Sequence, residues 1–274
     1  MSLLYRLAVT LSATALLGGL VGACSPTPQA TDTSGATGAS SKATETAQND
    51  PNDPNALVMK AISQTTLGQY QAAIAGFDQA IKLDPQLAPA YNGRGLAYTK
   101  LKQWDKAAAD LDQAIKLDPE LAEAYTNRAS LRASLGDLQS ALADFDKALK
   151  LDPNYADAYA GRGLVRGAMK AYKKAIADYD QAIRLKSDDA KLYTNRGLLY
   201  ALSGNDKKAV ADYSEAIKLD PNSANAYNNR GLAYLRLNNK KQAKEDLTKA
   251  ASLHLKAGDK ESQKRALEEV KKIK

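Results

Sequence analysis

Nucleophilic and metal chemistry have little to work with in this chain of 274 residues, which holds one Cys (Cys24) and one His (His254). A disulfide within the chain and a Cys/His zinc cluster are both excluded by count. There is no Gly-rich phosphate loop, and no pair of acids stands apart from a repeating pattern, so an enzyme is not expected and no cofactor is implied. The charged residues that do recur are matched in number and spacing. Arg94, Arg128, Arg162, Arg196 and Arg230 fall 34 residues apart, and so do Asp110, Asp144, Asp178, Asp212 and Asp246. Equal numbers of opposite charges at one period predict ion pairs rather than an open anion ladder, either inside a structural unit or between neighbours.

Cys24 has a specific setting. Arg6 is the only charge before it, an apolar stretch runs from Leu7 to Leu17, and small residues lead up to Val21-Gly22-Ala23-Cys24. This order of positive start, short apolar run and small-residue end is that of a secretory signal. Its end resembles the lipobox of bacterial lipoproteins, which implies a signal peptide over 1–23, lipidation of Cys24 and anchoring to a membrane of the cell envelope. Residues 25–53 contain no Val, Ile, Leu, Met, Phe, Trp or Tyr. Such a segment cannot bury enough apolar area to offset its ordering entropy, so 24–53 is expected to be a tether. Fully extended it would reach at most ~95 Å, and as a coil about 30 Å.

The elements that must position the recurring charges begin at residue 54. Six blocks of one length start at 54, 88, 122, 156, 190 and 224. The eighth position of each block is small (Ala61, Gly95, Ala129, Gly163, Gly197, Gly231), as are the twentieth (Ala73 to Ala243) and the twenty-seventh (Ala80 to Ala250). The twenty-fourth is bulky: Phe77, Leu111, Phe145, Tyr179, Tyr213 and Leu247. Small residues let two antiparallel helices approach, and bulky ones fill the seam between hairpins. Asp-Pro closes four blocks, since proline cannot continue a helix. A lone hairpin would expose an apolar face. Stacking six buries it and predicts an all-α fold, a right-handed α-solenoid, with a charged amphipathic helix in 256–274 as its polar cap.

These residues resemble the tetratricopeptide repeat family, over 54–87, 88–121, 122–155, 156–189, 190–223 and 224–255. Tyr91, Tyr125, Tyr159, Tyr193 and Tyr227 stand where that family often has Trp, Ser187 replaces a closing Pro, and the sixth block lacks its Asp-Pro. The resemblance implies a groove that takes protein or peptide ligands. In some members, asparagines at the sixth position grip a peptide backbone; Asn127, Asn195 and Asn229 match that position, each amide offering an acceptor and two donors. Solvated polar groups lining the groove are the equal alternative. A basic clamp for a peptide carboxylate is not reproduced, because Val58 and Ile62 stand where polar groups are required.

Two further features bear on partners. Arg132 and Arg166 occupy the eleventh position, held elsewhere by Tyr98, Tyr200 and Tyr234, and are read as edge cations lying over their neighbours or as binding groups. Residues 54–155 carry 11 basic and 12 acidic groups, whereas 156–255 carry 18 and 11. Lys173, Lys174, Lys207 and Lys208 lie near inter-helix turns in that basic half, a candidate docking face for anionic lipid or an acidic protein. No nucleic acid partner is expected, since aromatic interleaving is lacking. The expected function is a membrane-anchored scaffold in the cell envelope, with an assembly factor or pilotin-like chaperone for an envelope machine as the alternative.

Overall fold

The structure is a computed structural model, and it describes residues 53–273. The leader over 1–23, Cys24 and the tether lie outside the described residues, except Asp53. Its carboxylate accepts the Asn55 N–H and caps the first helix at Pro54. Among the described residues there are 13 helices and no strands, and they divide into two compact units, 53–153 and 154–273.

The first unit holds three antiparallel hairpins: α1 (Pro54–Thr66) with α2 (Tyr70–Leu83), α3 (Ala88–Lys100) with α4 (Trp104–Leu117), and α5 (Ala122–Ser134) with α6 (Leu138–Leu151). The second holds α7 (Ala156–Ala168) with α8 (Tyr172–Leu185), α9 (Ala190–Leu202) with α10 (Asp206–Leu219), and α11 (Ala224–Arg236) with α12 (Lys240–Lys256). It ends in α13 (Lys260–Lys272). Within each unit the second helix of a hairpin packs on the first helix of the next.

Local chemistry sets the helix ends. Before proline the backbone is pushed out of the helical region, and Asp84 is extended (φ −133°, ψ 97°) while its carboxylate accepts the Gln86 N–H. Asp118 and Asp220 do the same with Glu120 and Asn222. Lys186 ends α8 in nearly the same backbone geometry without a proline, and its ammonium reaches Asp157 at 2.8 Å. A second stop recurs at the fifteenth position of each block. There the chain turns through positive φ at Gly68, Gly136 and Gly204, but also at Lys102 (58°), Lys170 (61°) and Asn238 (59°).

The small and bulky positions meet inside each hairpin. A Cβ at Gly95 would come within 2.8 Å of Leu111, and one at Gly197 within 2.9 Å of the Tyr213 ring, so glycine there lets the two helices close. The bulky residue also reaches the sixth position of the following hairpin: a Cβ on Gly93 would run into the Phe77 ring. Phe77 is thereby wedged among Ala61, Ala73, Ala80 and Ala90 with no exposed surface. In the second unit Tyr179 fills the same place among Ala160, Ala175, Ala182 and Leu199. The cap α13 buries Ala266 on α12, while Leu267 beside it is 38% exposed. Its outer face is charged.

Candidate interaction surfaces

The arginines and aspartates form closed pairs. Arg94 donates Nε and Nη2 to the two oxygens of Asp110, both at 2.8 Å, and its remaining Nη1 to Asp78 of the preceding hairpin. Arg128 holds Asp144 and Asp112 in the same way, and Arg196 holds Asp212 and Asp180. Arg162 pairs with Asp178 at 2.7 Å. Arg230 pairs with Asp246, with the Ser214 hydroxyl in place of the second carboxylate. Each guanidinium also lies over the tyrosine three residues earlier, 5.4–5.7 Å from its ring centre. The hydrogen bond to Asp110 holds the Arg94 guanidinium protonated well above its ordinary range, against the opposing effect of burial. The sequence left two possible partners for each arginine. Arg94, Arg128 and Arg196 use both: the aspartate of their own hairpin and, through the twenty-fifth position, that of the preceding one.

Arg132 and Arg166 belong to the same pairs. Their Nη1 atoms donate at 2.7 Å to Asp144 and Asp178, so these buried carboxylates each face two cations. Neither side chain simply lies over its neighbour, which corrects the edge reading. The twelve-residue spacing puts the eleventh position against the same aspartate that the seventh engages.

The three asparagines are half-buried or buried on the first helices. Asn127 is buried, and its Nδ2 donates to Asn92 Oδ1 at 2.9 Å. Asn92 went unnoticed in the sequence; its signal is that it precedes Asn127 by one repeat plus one residue. Asn195 and Asn229 are half-buried. The Asn195 amide lies beside the Tyr179 hydroxyl, which is fully buried and has no hydrogen-bond partner of good geometry among the described residues. Burial pushes that phenol far above its usual pKa.

Lys173, Lys174, Lys207 and Lys208 are all exposed and stand in the first turns of α8 and α10. The Lys208 ammonium lies 5.2 Å from the Tyr200 ring centre. Asp206, next to Lys207 in sequence, is held by Arg236 at 2.7 Å. The one histidine, His254, is buried at the end of α12 with Nδ1 3.4 Å from Asp259. Among the described residues no helix is long and apolar enough to cross a membrane.

Comparison with known proteins places this geometry. Models described as tetratricopeptide repeat match residues 95–166 and 224–254, and one described as TPR repeat matches 65–102, 168–204 and 199–238. No curated protein matches in sequence. Among solved structures, the chain is similar to the APC/C hetero-tetramer Cut9-Hcn1 (TM-score 0.70, 18% identity), covering 82% of this chain but only 45% of that one. It is similar to PilW, a type IV pilus biogenesis factor (TM-score 0.69, 23% identity), over 78% of this chain and 98% of that one. It also resembles YrrB, a TPR protein with an unusual peptide-binding site (TM-score 0.56, 24% identity), over 70% and 97%. At these identities the likeness is one of fold.

Proposed function

Because the chain belongs to the tetratricopeptide repeat family, and such repeats mediate protein–protein interaction, we propose that it is a non-catalytic scaffold held to a membrane of the cell envelope through a lipidated Cys24. The observation that carries the scaffold reading is the closure of the arginine–aspartate pairs. The most regular charges are consumed in joining hairpins, so recognition falls to groups outside them. Two such sets exist: the asparagines of the first helices, Asn127, Asn195 and Asn229, and the exposed lysines Lys173, Lys174, Lys207 and Lys208. An asparagine amide can satisfy a peptide group in both directions, at about 1 kcal/mol net for each bond. The lysines offer a face for an anionic partner.

The membrane part of the proposal rests on sequence. An apolar run ending in Val21-Gly22-Ala23-Cys24 supplies the thiol and small neighbours that acylation requires, and a segment without large apolar residues separates it from Pro54. Two or more acyl chains make stable anchoring, where one is marginal. Replacing Cys24 by Ser tests it. The variant is expected to leave the membrane fraction with its helical content unchanged; retention there after a high-salt wash overturns the lipid anchor. The second reading, an assembly factor for an envelope machine, draws on the likeness to PilW. It predicts that deletion of the gene impairs assembly of a pilus or secretion complex, and intact assembly would reject it.

A further inference from the structure

We infer that the edge formed by the helix–helix corners of residues 154–273 docks onto the surface of an anionic lipid bilayer. The inference deepens the basic-face reading and rests on it, but it is independent of Cys24. The corners are the segments 169–174, 203–208 and 237–244, which join the two helices of each hairpin. They contain Lys170, Lys173, Lys174, Lys207, Lys208, Lys240, Lys241 and Lys244 against a single acid, Asp206, whose carboxylate is taken by Arg236. The equivalent corners of the other unit, 67–72, 101–106 and 135–140, hold two lysines and two aspartates. The repeat therefore does not require lysine at these places.

The lysines are also set where the backbone disfavours them. The first turn of a helix carries partial positive charge and favours acids. Yet α8 and α12 have no acid in their first turns, which hold Lys173, Lys174, Lys240 and Lys241. Lys170 turns through positive φ (61°), but so does Lys102 (58°) in the other unit, so this turn belongs to the repeat and the inference rests on the first-turn lysines. Lys173, Lys174, Lys207, Lys241 and Lys244 are exposed and have no acidic partner among the described residues. Residues that oppose local stability in this concerted way are those expected to serve a partner.

The partner's chemistry follows from what accompanies the charge. Met169 and Leu237, each 37% exposed, stand at the tips of the first and third corners; Leu67 and Leu135 hold the same place in the other unit, so what sets this edge apart is that its tips lie among exposed lysines. Flexible ammonium groups without fixed partners, repeated along one edge with apolar tips between them, suit an extended anionic plane into which the tips can dip.

Sedimentation of the full chain carrying Cys24→Ser tests this, with vesicles of phosphatidylglycerol and phosphatidylcholine against phosphatidylcholine alone. The chain is expected to sediment with the anionic vesicles only, and to be released near 1 M salt, where the screening length falls to ~3 Å. Each lysine at such a surface is worth about fivefold in affinity, so reversing Lys173, Lys174, Lys207 and Lys208 to Glu should weaken binding by more than about 100-fold. Reversing Lys60, Lys82, Lys116 and Lys150, exposed lysines of the other unit, makes the same change in net charge and should weaken it far less. Met169→Ser with Leu237→Ser should lower affinity several-fold, with the salt dependence kept. Circular dichroism checks that each variant stays helical. Equal binding to neutral vesicles, or equal damage from the two reversals, overturns the inference. Binding to polyglutamate but not to anionic vesicles would retain the basic face and assign it to acidic protein. Failure to bind either would remove the face itself.

Discussion

Arg94 and Asp110 are sixteen residues apart, on the first and second helices of one hairpin, and meet through two parallel hydrogen bonds of 2.8 Å. The third arm of the same guanidinium reaches Asp78 in the hairpin before. One side chain thus closes a hairpin and ties it to its predecessor. The array's ends follow the same logic. Block one has neither the arginine nor its aspartate (Lys60, Gly76) but keeps Asp78, which Arg94 needs, while the sixth block keeps Asp246 for Arg230 and has Thr248 at the twenty-fifth position.

The two aspartates are not equivalent. The side chain of Asp110 is 10% exposed and that of Asp78 51%. Truncating Arg94 to Ala strands a buried carboxylate and is expected to destabilise by about 3–5 kcal/mol, whereas Asp78→Ala should cost ~0–1 kcal/mol. Urea unfolding of both variants measures the contrast; equal costs would show that the bridge between hairpins is as strong as the one within.

Gly197→Leu should damage the hairpin of α9 and α10 itself rather than the seam before it, since its new side chain meets Tyr213 and Asp212 of the same hairpin. Overpacking of this kind commonly costs ~1–3 kcal/mol. An unchanged urea midpoint would mean the helices can separate freely at that point.

Tyr179→Phe removes a buried hydroxyl that lacks a good partner, at a position where Phe77 and Phe145 serve in other hairpins. Leaving such a group unsatisfied costs about 1–3 kcal/mol, so the variant should unfold at higher urea. Lower stability would indicate that the hydroxyl is satisfied through Asn195 after all.

Lys170→Gly relieves a left-handed backbone worth roughly 1–2 kcal/mol of strain and loses ~0.4–1 kcal/mol through greater freedom of the unfolded chain. A net gain of up to ~1.6 kcal/mol is expected in thermal unfolding, and Gly204→Ala, at φ 82°, should show the opposite sign. Loss of stability in the lysine variant would mean that its side chain contributes packing at the corner.

The cap should loosen in acid. Asp259 accepts from Ser262 at the start of α13, and these hydrogen bonds lower its carboxyl pKa, with His254 and Arg265 adding to the effect. A pKa lower in the folded state than in the unfolded one stabilises above the unfolded value, about 3.9, and that contribution is lost as pH falls through the folded value. Amide protection in α13 should therefore fall below about pH 4, and Asp259→Asn should flatten the response. An unchanged response in that variant would show that another group loosens the cap.

The period, the hairpins, the small and bulky positions and the matched arginines and aspartates were all legible in the residues. Each is enforced locally or by simple recurrence: proline stops a helix wherever it stands, and a stacked hairpin must repeat the contacts of its neighbour. Partner choice was not legible. Asn127 bonds to Asn92, Arg132 joins Arg128 on Asp144, and Gly93 exists because Phe77 of the hairpin before it needs the space. Those outcomes depend on the angle and separation at which helices pack, which bring together residues 16 or 35 apart whose side chains no helical periodicity relates. The lysine edge has the same origin. Its members are scattered over 75 positions, from Lys170 to Lys244, and share one edge only because each hairpin turns back in the same direction as the last.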